Sequence, residues 1–322
     1  MVDPKRECPP QCGYGLLGLC CSACLYGPCR RSPFDGENGG RFCGEDSDWI
    51  VAHNVMKRVF RESLQAMAAF RNALERASDR ESRTEAPRLE EMKRLLSPFF
   101  RGENALPDRI YPERAFPSLH ALEFPAGSWF AALLDMAAVE TQTLRNTEAQ
   151  LASALRLSAM ALAAEALSRE PAGAAPEEMD LPLPDSASPF LLLVSDEGGL
   201  PNDGREELLK EIETACREEV WICKLPHVAQ LPALGRKIYD RWGIPASMSG
   251  SVAVVASSSM IHGLGALALG FSLAAVPAYP IHGSPRVENY LTRHLKSTFG
   301  HAYLAVQPEE DLVEQILGGL KR

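Results

Sequence analysis

Apolar positions divide the chain into three stretches of different character. Up to residue 45 large apolar side chains are sparse, while Cys, Gly and Pro are frequent. Such a segment cannot build a conventional core and needs a metal or a partner to order it. Ile50, Val51, Val55, Met56, Val59, Phe60 and Leu64 then recur at helical spacing. Asp46, Ser47 or Asp48 is placed to cap that helix. Residues 79–93 are highly charged and predict an exposed stretch, and 94–125, with several Pro and aromatic residues, predict irregular linkage. Residues 128–170 are rich in Ala and Leu without internal Gly or Pro, and predict one long helix or two. The Pro-rich run 171–188 reads as a linker.

Beyond the linker, strand and helix patterns alternate. A continuous apolar run at 190–194 predicts a buried strand of a parallel sheet, and further strands are expected at 220–225, 252–256 and 302–306. Helices are expected at 206–217, 234–242, 287–298 and 309–320. This alternation implies a doubly wound sheet. The fold class is therefore α/β: an N-terminal Cys-rich iron–sulfur segment, a helical middle and a C-terminal Rossmann-like parallel-sheet domain. The expected boundaries are 1–54, 55–184 and 185–322. Gly263-Leu264-Gly265 hints at a dinucleotide loop, but a third glycine at the required spacing is missing.

Residues 242–285 lack Asp, Glu, Lys and Arg. Pro245, Pro277, Pro280 and several serines interrupt the run, so it predicts a buried strand–loop–helix core rather than a membrane span. The N-terminus MVDPKRECPP has no apolar leader, which predicts a cytoplasmic protein. The net charge of −9 argues against nucleic acid as a partner.

The cysteines change the picture most. Of nine, seven lie in the first 43 residues. An odd, dense thiol cluster in a reducing compartment reads as metal-binding. Cys21, Cys24, Cys29 and Cys43 supply the four thiolates that one [4Fe–4S] cube requires. Cys12 and Cys20 remain, and Cys20, adjacent to Cys21, points to the opposite face in an extended segment. Two ligands are half a set, which a two-fold axis would complete. That arithmetic suggests a homodimer with one cube inside each subunit and one bridging the two. A closed four-cysteine zinc site is the competing reading of the spacing. Cys8 is spare.

The run CGYGLLGLCCSACLYGPCR, followed by GGRFCGEDSDWIVAHN, resembles the N-terminus of the nickel–iron carbon monoxide dehydrogenase catalytic subunit. The resemblance implies that Cys12 and Cys20 bind a cube shared between subunits, that Cys21, Cys24, Cys29 and Cys43 bind a cube within one subunit, and that both carry electrons. A weaker likeness at Ile281-His282-Gly283-Ser284-Pro285 implies the family's last Rossmann-like domain.

Departures from the family are equally specific. Its nickel cluster takes a histidine and more cysteines than Cys216 and Cys223, the two this chain has beyond Cys43. Gly250-Ser251-Val252 stands where the family carries a glycine-serine-cysteine ligand motif, and no further His follows His53 until His120. Nickel is therefore not expected. Cys216 and Cys223, with His227 nearby, or His282 beside a Gly-Ser-Pro turn, are secondary metal candidates, though structural roles are the favoured reading of their settings. The expected function is electron transfer between a redox protein partner and the dimer. The alternatives are a small carbon-monoxide-dehydrogenase-like oxidoreductase with a non-standard cluster, or a redox sensor or accessory protein for metallocluster assembly.

Overall fold

The computed structural model describes residues 19–21, 29–30, 45–80, 90, 93, 111–120, 122, 146–169, 190–195, 210, 214, 221–225, 227–249, 251–256, 259–275, 287 and 303–305. Two short strands, β1 (Cys20–Cys21) and β2 (Cys29–Arg30), form an antiparallel pair. The long helix α1 (Ser47–Arg80) follows. Asp46 starts it by accepting the Trp49 N–H through Oδ1 at 2.7 Å, an N-cap bond. Ala52, Val55, Met56, Val59, Ser63, Ala66, Phe70 and Ala73 then form one buried stripe. The helix extends well past Leu64, where the larger apolar residues give way to alanines. It also runs through the expected boundary at 54–55.

The short helix α2 (Pro117–His120) buries Leu119, and Phe116 just before it sits edge-on to Tyr111, with ring centres 5.4 Å apart. Helix α3 (Thr147–Arg169) is capped by Asn146, whose Oδ1 accepts from the N–H groups of Glu148 (2.9 Å) and Ala149 (3.2 Å). It is buried on nearly every face, as expected of a helix apolar all round. The Ser158 hydroxyl avoids an unpaired burial by donating to the Ala154 carbonyl at 2.8 Å. Tyr111 donates its hydroxyl to the Ala159 carbonyl at 2.7 Å, and burial holds its phenol far above the ordinary ionisation range. Among the described residues α3 is the one helix long and apolar enough to cross a membrane, and 72% of its apolar window is buried within the protein.

Strands β3 (Phe190–Ser195), β4 (Trp221–Leu225), β5 (Val252–Ala256), β6 (Ser272–Ala275) and β7 (Tyr303–Ala305) form one sheet in the order β4-β3-β5-β6-β7. All four pairings are parallel. The chain moves outward from β3 to β4, then returns to the other side of β3 for β5, so the order reverses between β3 and β5. This sequence of strands is one of the two common orders of doubly wound sheets. Helix α4 (Leu231–Trp242) begins with Pro232 in its first turn and ends at Gly243, whose φ of 71° allows its N–H to reach the Tyr239 carbonyl at 2.8 Å. Helix α5 (Met260–Ala268) fills the apolar run between β5 and β6. At about 1.5 Å per residue it is roughly 13 Å long, less than half a bilayer core.

A single hydrophobic core joins α1, α3 and α5 and continues to Cys223, Leu225, Leu231 and Leu234. Gly265 of α5 lies on the α3 contact: a Cβ there would overlap the Leu162 side chain and come within 3.3 Å of the Ser158 carbonyl. Both glycines of Gly263-Leu264-Gly265 are buried on a helix rather than in a phosphate loop, and Gly265 serves this close approach.

Candidate functional site

The cysteine hairpin is organised by its register. Cys21 lies opposite Cys29, and Cys20 lies opposite Arg30. Opposed positions of an antiparallel pair share a face, and successive positions alternate. Positions 21 and 29 therefore belong to one face of the hairpin, and position 20 to the other. Cys21 is buried, in a small cluster with Trp49 and Ile50 from the first turn of α1; Cys20 is half-buried. Asn54 ties the hairpin to α1 by donating Nδ2 to the Cys20 carbonyl at 2.7 Å. Trp49 stacks on His53, with ring centres 4.9 Å apart and planes 11° from parallel. The Trp49 indole N–H is buried without an acceptor among the described residues.

Cys12, Cys24 and Cys43 lie outside the described residues, as do Cys216 and His282. Among the described residues, no three His, Cys, Asp or Glu side chains gather as a metal site. Cys223 sits on β4 in the main core, and burial pushes its thiol up to about 11, an effect that Lys237 partly offsets. His227 precedes the turn Val228–Gln230, and its Nδ1 accepts from Arg169 Nη1 at 2.9 Å. Ser251 is buried, its hydroxyl 2.5 Å from that of Ser249.

A second polar assembly sits at the start of α5. Unlike α1 and α3, this helix receives its cap from a distant part of the chain. One oxygen of Glu62, on α1, accepts from Met260 N (2.6 Å), Ile261 N (3.0 Å) and the Ser259 hydroxyl (3.0 Å). Its other oxygen accepts from Arg58 Nε at 2.9 Å. In the same turn, directly after these amides, His262 Nε2 pairs with Glu165 of α3 at 3.0 Å, with side-chain exposures of 6% and 17%. The sequence places His262 within the run 242–285, which lacks Asp and Glu, and offers no partner for it there. It gave no signal for Glu62 or Glu165, whose partners lie far away along the chain.

No family model matches the chain. A segment of 57 residues is 46% identical to carbon monoxide dehydrogenase 1 of Carboxydothermus hydrogenoformans, covering 18% of this chain and 9% of that protein. A segment of 51 residues is 51% identical to the carbon monoxide dehydrogenase of Rhodospirillum rubrum, covering 16% and 8%. Among solved structures, carbon monoxide dehydrogenase IV from C. hydrogenoformans aligns with a TM-score of 0.43 at 16% identity. A nickel-free carbon monoxide dehydrogenase from Thermococcus sp. AM4 aligns at 0.44 and 14%. Each alignment covers 97% of this chain and 55% of the other, so the chain spans about half the length of those enzymes. Through its closely matching segment, the chain is a relative of the carbon monoxide dehydrogenases.

Proposed function

We propose that the chain is a dimeric iron–sulfur electron-transfer protein related to carbon monoxide dehydrogenase and lacking that enzyme's nickel cluster. In this reading Cys21, Cys24, Cys29 and Cys43 hold a [4Fe–4S] cube in each subunit. Cys12 and Cys20 hold a second cube together with their copies across a two-fold axis. The segment 1–54 carries the cubes, 55–184 supports them, and 185–322 forms a Rossmann-like domain. The setting is cytoplasmic, and the electron donor or acceptor is a redox protein.

The observation that carries this reading is the hairpin register, which pairs positions 21 and 29 on one face and leaves position 20 on the other. Two neighbouring cysteines on opposite faces suit two groups rather than one. The buried Trp49 N–H, in the same cluster as Cys21 and without an acceptor among the described residues, is further support. Thiolate or cluster sulfur beside it would satisfy a donor that is costly to bury alone. Cubes bound in this way supply one-electron exchange. The chain's own contribution is to hold the thiolates: Asn54 fixes the hairpin, and Trp49 and Ile50 exclude water from Cys21. Cys223 is left out of the ligand set, because it packs as a small apolar side chain in the main core.

The test is purification without oxygen, with iron, sulfide, nickel and zinc measured per chain and mass by light scattering. The expected result is about six irons per chain in a dimer, four from the internal cube and half of a shared one. Cys20→Ser should then lower the content to about four irons. Zinc in place of iron overturns the reading, as does unchanged iron in Cys20→Ser. Nickel with additional iron replaces it with the oxidoreductase reading.

A further inference from the structure

Helices α1 and α3 and the first turn of α5 line an open cavity of about 580 Å³. That volume falls within the range of small-molecule sites, roughly 300–1,000 Å³. Its lining is strongly charged: Arg58, Glu62 and Arg76 from α1, Glu165 and Arg169 from α3, and His262 from α5. The charges are not evenly matched. Glu62 is engaged by Arg58 and by the α5 amides, and Glu165 by His262. Arg169 donates to the Nδ1 of His227, an acceptor that brings no negative charge. Among the described residues Arg76 meets no carboxylate partner. Two guanidinium charges at the rim therefore stand over a floor of largely buried acid–base groups, with His262 6% and Glu165 17% exposed.

The place in the fold points the same way. Helix α5 follows the carboxyl end of β5, beside the reversal of strand order between β3 and β5. Open parallel sheets bind ligands outside their strands' carboxyl ends at such a reversal. The first turn of α5 already holds an anionic oxygen, that of Glu62, on two amides and a hydroxyl. Arginine forks match the planar oxygens of phosphate and carboxylate groups.

We propose that this cavity binds a small molecule bearing an oxyanion group, phosphate or carboxylate, held by Arg76 and Arg169 at the rim. The volume calls for a metabolite-sized compound rather than a bare ion. The site draws on no cysteine and stands apart from the electron-transfer reading.

The test is calorimetric titration of the full chain, purified without oxygen, at constant ionic strength. Glycerol 3-phosphate serves as the phosphate probe and succinate as the carboxylate probe. The expected result is saturable binding of at least one probe, with Kd raised at least tenfold in Arg76→Gln/Arg169→Gln and unchanged in Arg71→Gln. Arg71 lies on the same helix, exposed and paired with Glu75 outside the cavity. Both rim arginines are exposed, so the double variant is expected to keep the melting temperature of the parent. Binding of glycerol 3-phosphate alone identifies a phosphate ligand, and binding of succinate alone a carboxylate. Failure of both probes to saturate overturns the proposal. Equal affinity in the double variant, or equal loss in Arg71→Gln, overturns it as well.

Discussion

Removal of the Glu62 carboxylate tests whether α5 depends on a cap supplied by another helix. One Glu62 oxygen takes three donors at 2.6, 3.0 and 3.0 Å. Met260 and Ile261 are almost fully buried, so water can reach amides freed at this point only through the cavity that Glu62 and Ile261 line. A single N-cap side chain contributes about 0.5–2 kcal/mol, and each hydrogen bond to a charged group about 1.5–3 kcal/mol. The three bonds share one carboxylate, 18% exposed, that must be desolvated once. Their joint contribution is therefore placed at about 2–4 kcal/mol, well below the sum of three separate bonds. The exposed Arg58 pair adds only about 0.3–0.5 kcal/mol. Glu62→Ala should lose the full amount, and Glu62→Gln, which keeps an acceptor oxygen but no charge, about half of it. Arg58→Ala should lose little. Urea denaturation reads these differences as shifts in midpoint at constant slope. A Glu62→Ala protein within about 0.5 kcal/mol of the parent would refute the capping argument, as would an Arg58→Ala loss equal to that of Glu62→Ala.

Two further outcomes follow from packing and from burial. Gly265→Ala places a methyl group against Leu162, 2.9 Å from its Cγ, and should cost about 1–3 kcal/mol by overpacking; thermal unfolding measures it, and Leu162→Ala in the same background should relieve part of the strain. Cys223 has a folded pKa raised from 9.0 to about 11. Because the raised value belongs to the folded state, its stabilising effect is complete below pH 9 and is lost as pH rises through 11. The parent should thus lose more stability than Cys223→Ala across that window, and equal pH profiles would contradict the assignment.

The sheet was legible at its interior strands. The runs at 190–194 and 252–256 are continuously apolar and became β3 and β5 almost residue for residue. Helix α5 was expected only as the unbounded helix of a strand–loop–helix core, and strand β6 was not foreseen. The stretch that holds them is apolar throughout, and a uniform run carries no period to distinguish helix from strand. The far half of α1 carries a weaker signal, because its core face sets Phe70 between Ala66 and Ala73, small residues that blur the helical pattern. The relationship to carbon monoxide dehydrogenase was legible in cysteine spacing, a local signal. The α5 cap was not, since Glu62 reads along the chain as an ordinary partner for Arg58, and the amides it serves lie 198 and 199 residues away.

The two attachments of α1 also make this helix a natural gauge of opening. Asn54 holds the hairpin and Glu62 holds α5, at points roughly 12 Å apart along one rod. The Met260 and Ile261 amides can exchange hydrogen with solvent only after the carboxylate has left, which requires α1 and α5 to part. Helix-start amides ordinarily exchange by local fraying. Here their deuterium uptake would instead keep time with tertiary separation. Two N–H signals would thus clock the breathing of the whole helical layer without any label added to the protein.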